Sequence, residues 1–365
     1  MQQGSLRFVT IDNGLNFTCA LTDTGDAYCW GYGSLGRLGN GGTSNSSVPV
    51  KVSGDLKFKQ ITTGRTFACG LTVSGQAYCW GDNTNAHLGN EDSLHHSLPV
   101  PVVGGKTFKH ISAGSFHACG VTTDGEAYCW GSSTNGKLGA GSDYAGIGPV
   151  REPIKVAGGH TWAAIYAGAQ HSCGITVEGE AYCWGSNSNG KVGAGVPSGT
   201  TEDFHEPAKV NSSNRFVTLS IGNNHTCGVV TDGRGYCWGS NGRGKLGRGN
   251  TSGTYSSPQQ VSTISNWTHI SAGSDHTCGV TTDGEVYCWG AGDAGRLGTG
   301  AIDTTATPLE VTTPSPVAFL NGASAGGIGG AQGGPSPFLP QKRRLEDYLW
   351  LAARGTKALY VTRLI

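Results

Sequence analysis

Three observations predict an all-β chain folded as a ring of four-stranded blades, a β-propeller. The word Tyr-Cys-Trp-Gly recurs six times, with tryptophans at Trp30, Trp80, Trp130, Trp184, Trp238 and Trp289, spaced by 50, 50, 54, 54 and 51 residues. Each copy divides into four strand-sized segments separated by Gly, Asp, Asn and Ser turns. Glycine is abundant, 62 residues, without a three-residue period, which excludes a collagen-like chain and signals many turns. A lone blade leaves both faces wet. Stacking copies around an axis buries those faces together, so the ring is the stable unit.

The elements follow in order. Strand one opens with an aromatic and, three residues on, an aliphatic: Phe58 and Ile61, Phe108 and Ile111, Trp162 and Ile165, Phe216 and Leu219, Trp267 and Ile270. A glycine turn such as Ser112-Ala113-Gly114 leads to strand two, His117-Ala118-Cys119-Gly120-Val121-Thr122. The turn Thr123-Asp124-Gly125 follows, because glycine accepts the positive φ of a tight hairpin. Strand three ends in Tyr128-Cys129-Trp130, and the loop Asn135-Gly136-Lys137-Leu138-Gly139 comes after it. Pro49, Pro99, Pro153, Pro207, Pro258 and Pro308 are expected at the start of strand four, on an outer edge where a missing N–H costs least.

Charge excludes some partners. The chain balances 25 basic against 25 acidic side chains, so nothing draws it to nucleic acid or an anionic membrane. No apolar run is long enough to span a membrane. The start, Met1-Gln2-Gln3-Gly4-Ser5-Leu6, has neither the basic nor the apolar region of a secretion signal.

The cysteines carry the strongest chemical signal. Two fall in every copy, ten residues apart: Cys19 and Cys29, Cys69 and Cys79, Cys119 and Cys129, Cys173 and Cys183, Cys227 and Cys237, Cys278 and Cys288. With Thr123-Asp124-Gly125 as a three-residue loop, Cys119 faces Cys129 across the hairpin. Directly opposed residues of a non-hydrogen-bonded pair lie within disulfide reach. The same count works in each copy, so six disulfides are expected, each worth about 2–3 kcal/mol in the chain-entropy model. The alternative is twelve reduced, buried thiols. Zinc is disfavoured because no Cys-x-x-Cys occurs. Disulfides would place the chain in an oxidising compartment, extracytoplasmic or secreted; reduced thiols would return it to the cytoplasm.

Other motifs imitate chemistry. Gly185-Ser186-Asn187-Ser188-Asn189-Gly190-Lys191 resembles a phosphate loop but lacks the following hydroxyl residue and any helix. Its recurrence at one repeat phase makes it a blade turn, and no cofactor is expected. His117, His171, His225 and His276 share a repeat position with Phe17 and Phe67, which marks a packing site; their imidazoles are expected to bond backbone carbonyls between blades. Glycosylation motifs at Asn16, Asn45, Asn211, Asn224, Asn250 and Asn266 matter only in a eukaryotic secretory route, and most read as coincidences of an Asn/Ser/Thr-rich chain. No catalytic set stands out, and the chain is expected not to be an enzyme.

The phrase Ile-Ser-Ala-Gly-x-x-His-x-Cys-Gly-Val-Thr-x-Asp-Gly-x-x-Tyr-Cys-Trp-Gly, followed by Gly-x-Leu-Gly, closely resembles the regulator of chromosome condensation repeat. It stands almost in full at 111–139 and 270–298. The resemblance covers about residues 7–312 and implies a propeller, typically of seven blades, in a member of bacterial appearance with paired cysteines. Six complete repeats are expected over 1–315, a degenerate seventh over 316–330, and an atypical tail over 331–365. That end reads as a broken seventh blade, a linker with a short helix, or a functional tail.

Function is expected on loops, since the blades are framework. The third-to-fourth connections at 90–98, 142–152, 196–206 and 250–257 vary while the framework repeats. They supply His95, His96, Tyr144, Arg151, Phe204, His205 and Tyr255 as candidate partner contacts. The expected function is a non-enzymatic scaffold for a protein partner of unknown identity. The resemblance also implies two alternatives, nucleotide exchange on a small GTPase and inhibition of a secreted enzyme. It disfavours ultraviolet sensing, because Phe116, Gln170, Asn224 and Asp275 stand where the plant photoreceptor has tryptophan.

Overall fold

The structure is a computed structural model and describes residues 6–144, 146–196 and 203–312; the expected partial repeat at 316–330 and tail at 331–365 lie outside the described residues. Among the described residues twenty-four strands form six antiparallel sheets of four, each ordered first to fourth along the chain. The blades cover 8–51, 58–101, 108–155, 162–209, 216–260 and 267–310.

First strands surround the axis. They are Phe8–Asn13, Phe58–Thr63, Phe108–Ala113, Trp162–Ala167, Phe216–Ile221 and Trp267–Ala272, and each of the first five packs against the first strand of the next blade. A side-chain oxygen near the end of one accepts a backbone N–H from the next. Asp12 Oδ2 takes Thr63 N at 2.8 Å, Ser112 Oγ takes Ala167 N at 3.0 Å and Ser220 Oγ takes Ala272 N at 2.9 Å.

The hairpin register matches the expectation. Cys119 pairs with Cys129 and Val121 with Ala127 around a turn in which Gly125 has φ +91°. All six cysteine pairs are disulfides, with Cα atoms 4.0–4.1 Å apart. The disulfides of blades 1 to 5 each face the following blade. Cys19 and Cys29 share a core with Phe58, Ile61, Ala68 and Trp80, and Cys119 and Cys129 with Trp162, Ile165 and Trp184. A blade therefore presents its disulfide and the leucine of Gly-x-Leu-Gly forward, and its tryptophan and first-strand aromatic backward.

Two expectations need correction. The prolines do not begin strand four. Pro49 lies inside Ser46–Lys51 and Pro153 inside Pro149–Lys155, where the ladder skips residues between Cys29 and Gly31 and between Cys129 and Gly131. A bulge leaves an N–H unpaired, so the residue without one settles there. The histidines do not bond backbone carbonyls. His117 Nε2 lies 2.7 Å from Ser172 Oγ, His171 Nε2 2.8 Å from Thr226 Oγ1, and His225 Nε2 2.9 Å from Thr277 Oγ1, each hydroxyl belonging to the next blade. The carbonyl is one step further on. Ser172, Thr226 and Thr277 donate to the carbonyls of Lys137, Lys191 and Lys245. Because the hydroxyl proton is committed there, the imidazole donates from Nε2. Burial pushes these imidazoles well below the usual histidine range, His225 to about 3.

Trp80, Trp130, Trp184, Trp238 and Trp289 are sealed between blades. Each indole N–H reaches back to the carbonyl of Arg37, His87, Lys137, Lys191 or Lys245, at 2.9–3.2 Å. A Cβ on Gly139 would stand 2.5 Å from Trp184 Nε1, so this position must be glycine for the next indole to dock. Trp30 differs and is only half-buried.

Candidate interaction face

An up-and-down blade sends its 1–2 turn and its 3–4 connection to one end of the propeller, and its 2–3 turn to the other. All seven candidate contacts fall on the first of these faces. His95 lies in a connection and Tyr144 in a short 3-10 turn, Ser142–Tyr144. His96, Arg151, Phe204, His205 and Tyr255 instead stand on fourth strands: His96–Pro101, Pro149–Lys155, Phe204–Lys209 and Thr254–Gln260.

Much of this face is committed to holding itself. Asn83 anchors the blade 2 connection. Its Nδ2 donates to Asn90 Oδ1, Asp92 O and Asp92 Oδ1 at 3.0–3.1 Å, and its Oδ1 accepts from Leu88 N. His95 Nδ1 accepts from Asn83 N at 3.1 Å, and His96 Nε2 lies 3.0 Å from Asp92 Oδ2. Asn241 repeats the anchor in blade 5, donating to Asn250 O, Asn250 Oδ1 and Ser252 O. Asn250 Nδ2 in turn donates to the Tyr255 hydroxyl, and the Arg248 guanidinium sits 4.2 Å above the Tyr255 ring. Phe204 packs partly against the cores of blades 3 and 4. His95, His96 and Tyr255 thus brace their own loops, Phe204 packs on the blade cores, His205 keeps a buried Nδ1 without a hydrogen-bond partner among the described residues, Tyr144 is exposed, and Arg151 reaches across to the neighbouring blade.

The connections are also laced to one another. Gly41 N donates to Ser97 O, Glu91 N to Arg151 O, Gly141 N to His205 O, Gly195 N to Ser256 O and Gly249 N to Ala306 O, each reaching the fourth strand of the next blade. Arg151 adds Nε to Ser93 Oγ at 3.1 Å. The face is a connected rim.

Beneath the rim lies a basic residue that the sequence reading passed over. The variable position of Gly-x-Leu-Gly is Arg37, His87, Lys137, Lys191, Lys245 and Arg296 in the six copies. Lys245 Nζ donates to Asp275 Oδ1 at 2.7 Å and to Ser274 O, and Lys137 sits 5.6 Å over the Phe116 ring. Burial holds the Lys137 and Lys191 ammonium groups down to about 8. His87 stacks 4.3 Å from Phe67, and burial holds it near 4. The phosphate-loop imitation is this turn: Ser188–Gly190 is a 3-10 turn with Asn189 left-handed at φ 64°, followed by Lys191. Among the described residues no group of three or more His, Cys, Asp or Glu side chains is placed to hold a metal.

Exposed apolar side chains concentrate on the same face. Leu15, Tyr32, Leu94, Tyr144, Ile147 and Ile302 stand out from its turns and connections, against Val73 and Val177 in the 2–3 turns. Leu94 adjoins Ser93, and Tyr144 and Ile147 lead into Arg151, so the lacing of blades 2 and 3 joins their loops.

The family model of the RCC1-like domain matches residues 2–330. The ultraviolet-B receptor UVR8 of Arabidopsis thaliana is 32% identical over 170 residues, 45% of this chain and 38% of that protein. The E3 ubiquitin-protein ligase HERC2 of Homo sapiens is 30% identical over 153 residues, 40% of this chain and 3% of that protein. The matches therefore span well under half of either relative. Human WBSCR16 superposes with a TM-score of 0.75 at 20% identity, covering 85% of this chain and 83% of that one. Yeast RCC1 (Prp20), solved bound to Kap60, gives 0.73 at 18%, covering 84% and 75%. The last two likenesses speak to the fold. With the repeat word, six stapled blades and a family match over most of its length, the chain belongs to the RCC1-like domain family.

Proposed function

We propose that this chain is a non-enzymatic scaffold that holds a protein partner on the face built by its 1–2 turns and 3–4 connections. The carrying observation is the concentration of exposed apolar side chains in its turns and connections, six against three (Leu6, Val73 and Val177) in those of the opposite end among the described residues. Scattered single apolar residues need no explanation, but a one-sided distribution does. The lacing supports the reading, because loops already ordered cost little further entropy on binding. Leu94, Tyr144 and Ile147 at the blade 2–blade 3 rim are the proposed anchor, with Arg151 beside them. The buried disulfides favour an oxidising compartment, hence an extracytoplasmic partner, of which a secreted enzyme is one kind.

The test compares two double variants made in the native host. Leu94→Asp with Ile147→Asp should lose a partner that wild type retains, and Val73→Asp with Val177→Asp on the other face should keep it. A partner indifferent to the first pair refutes the face. The second reading, exchange on a small GTPase, requires a reducing compartment. It gains only if the thiols of host-purified protein are free and the chain accelerates nucleotide release.

A further inference from the structure

The basic residue of Gly-x-Leu-Gly holds one place in the repeat but not one electrostatic situation. In blade 5 its charge is balanced. Lys245 Nζ donates to Ser274 O at 3.2 Å and to Asp275 Oδ1 at 2.7 Å, both in the 1–2 turn of blade 6. In blade 4 Lys191 Nζ makes the matching carbonyl contact, to Asn223 O at 3.5 Å, but the residue aligned with Asp275 is Asn224. In blade 3 the aligned residue is Gln170, and Lys137 Nζ rests over the Phe116 ring instead. Lys137 and Lys191 are 2% and 1% exposed, and among the described residues neither forms an ion pair. An ammonium taken out of water without a close counter-ion is costly, and the chain bears that cost in two successive blades.

Positive charge gathers around them. The guanidinium of exposed Arg65 lies 5.7 Å over the same Phe116 ring that Lys137 covers. Burial holds both ammonium groups down to about 8, and Asp203 opposes that shift in each. Asp203 Oδ2 nevertheless takes Asn135 Nδ2 at 2.7 Å, not a lysine. Three cations stand against one carboxylate. Blade 5 shows that such a lysine can be reached from solvent: Asp275 keeps 49% of its side chain exposed while it holds Lys245, whose own side chain is 3% exposed.

We propose that Lys137 and Lys191, with Arg65 at the exposed end, form a binding site for a carboxylate that enters from the face of the 1–2 turns. The incoming group does for these lysines what Asp275 does for Lys245. Its source is a free small acid or an Asp or Glu side chain of the partner, and only the second source rests on the proposed partner face. The sealed lysine stems keep water from screening the attraction.

The experiment follows thermal unfolding of the oxidised full chain while acetate replaces chloride at constant ionic strength. A ligand that binds only the folded state raises the midpoint. Acetate should stabilise wild type, and the concentration giving half the effect should rise at least about tenfold in Lys137→Met with Lys191→Met, the factor one charged hydrogen bond supplies. Gln170→Asp with Asn224→Asp copies the blade 5 arrangement; it should fold and abolish the response, so the test survives a methionine variant that unfolds. Asp275→Asn should enlarge the response by releasing Lys245. The response should fade above about pH 8, where the ammonium groups discharge, while Arg65 stays charged and burial keeps His117 and His171 neutral. Two peptides, acetyl-Leu-Glu-Leu-amide and its Gln analogue, identify the source. A Glu peptide that outbinds acetate, with the excess removed by Leu94→Asp and Ile147→Asp, assigns the site to the partner's side chain; an excess untouched by those changes assigns it to a free acid. An acetate response in those same variants shows that the lysine site stands apart from the apolar anchor. If acetate acts equally on wild type and all lysine and aspartate variants, the lysines are not a carboxylate site. If wild type does not respond and Glu202→Gln, outside the described residues, confers a response, the chain supplies its own carboxylate and the proposal fails.

Discussion

Removing one hydroxyl from a junction should cost far more than removing both partners would suggest. Thr226 is fully buried, accepts from His171 Nε2 at 2.8 Å and donates to Lys191 O at 3.0 Å. Thr226→Val keeps the shape and deletes the acceptor. Lys191 O keeps its bond from the Trp238 indole at 3.0 Å, so the carbonyl is not orphaned. The His171 Nε2–H is orphaned, in a site without water access, at about 1–3 kcal/mol. His171→Phe alone should cost about 1 kcal/mol, because the Thr226 hydroxyl still has Lys191 O to donate to. The double variant recreates the apolar junction the chain already uses at Phe67 and Ala118, so it should be little worse than His171→Phe. The cycle then yields a coupling of about 1–3 kcal/mol, the cost of the orphaned imidazole N–H. Urea unfolding of the oxidised proteins at neutral pH, with unchanged slope, measures it. Costs that add within about 0.5 kcal/mol would refute a hydroxyl–imidazole clamp.

The same histidines set an acid limit. They are neutral when buried, and the unfolded chain protonates them below the ordinary value of 6.5. The unfolded state therefore gains protons first. Stability is intact above pH 6.5 and falls as pH drops toward 4, by about 1.4 kcal/mol per pH unit for each histidine; a flat profile between pH 7 and 5 would sink the assignment. Under limiting reductant, Cys278–Cys288 should open first, since Cys278 is half-buried while Cys19, Cys69, Cys119, Cys173 and Cys227 are at most 1% exposed. Mass spectrometry of alkylated peptides would show the order, and simultaneous opening would contradict it. Gly193→Ala puts a methyl group 2.5 Å from the Trp238 indole, whereas Gly298→Ala meets only Val311 at 3.0 Å. Both positions have positive φ, so thermal unfolding should show the first losing at least about 1 kcal/mol more than the second.

The framework was legible because each of its constraints is written six times. Cysteines ten residues apart, read against a three-residue turn, identify one cross-strand pair, and the register Cys119 to Cys129 follows from counting. The proline was legible as an outer-strand residue but not as a bulge, because a bulge depends on how many residues the partner strand skips. The histidines were recognised as packing groups, yet their acceptors were missed. That signal stood in the sequence, but diagonally: residue 117 must be compared with 172, not with its own copy. Reading each repeat against itself hides any contact whose two halves lie in successive repeats.

Loop residues are written once, and this is why the candidate contacts divided as they did. Exposure and aromatic or basic character suggested His95, His96 and Tyr255 as anchors, but a polar or aromatic side chain near a strand end has its own loop as the nearest partner. His95 accepts from Asn83 N, and Tyr255 receives Asn250. The groups left free to act outward are those with nothing local to bond, the aliphatic Leu94 and Ile147 above all. A rim whose polar groups are spent on its own rigidity presents its apolar ones to solvent, and covering such pre-ordered apolar groups costs little further entropy, which is the physical ground of the proposed protein-binding face.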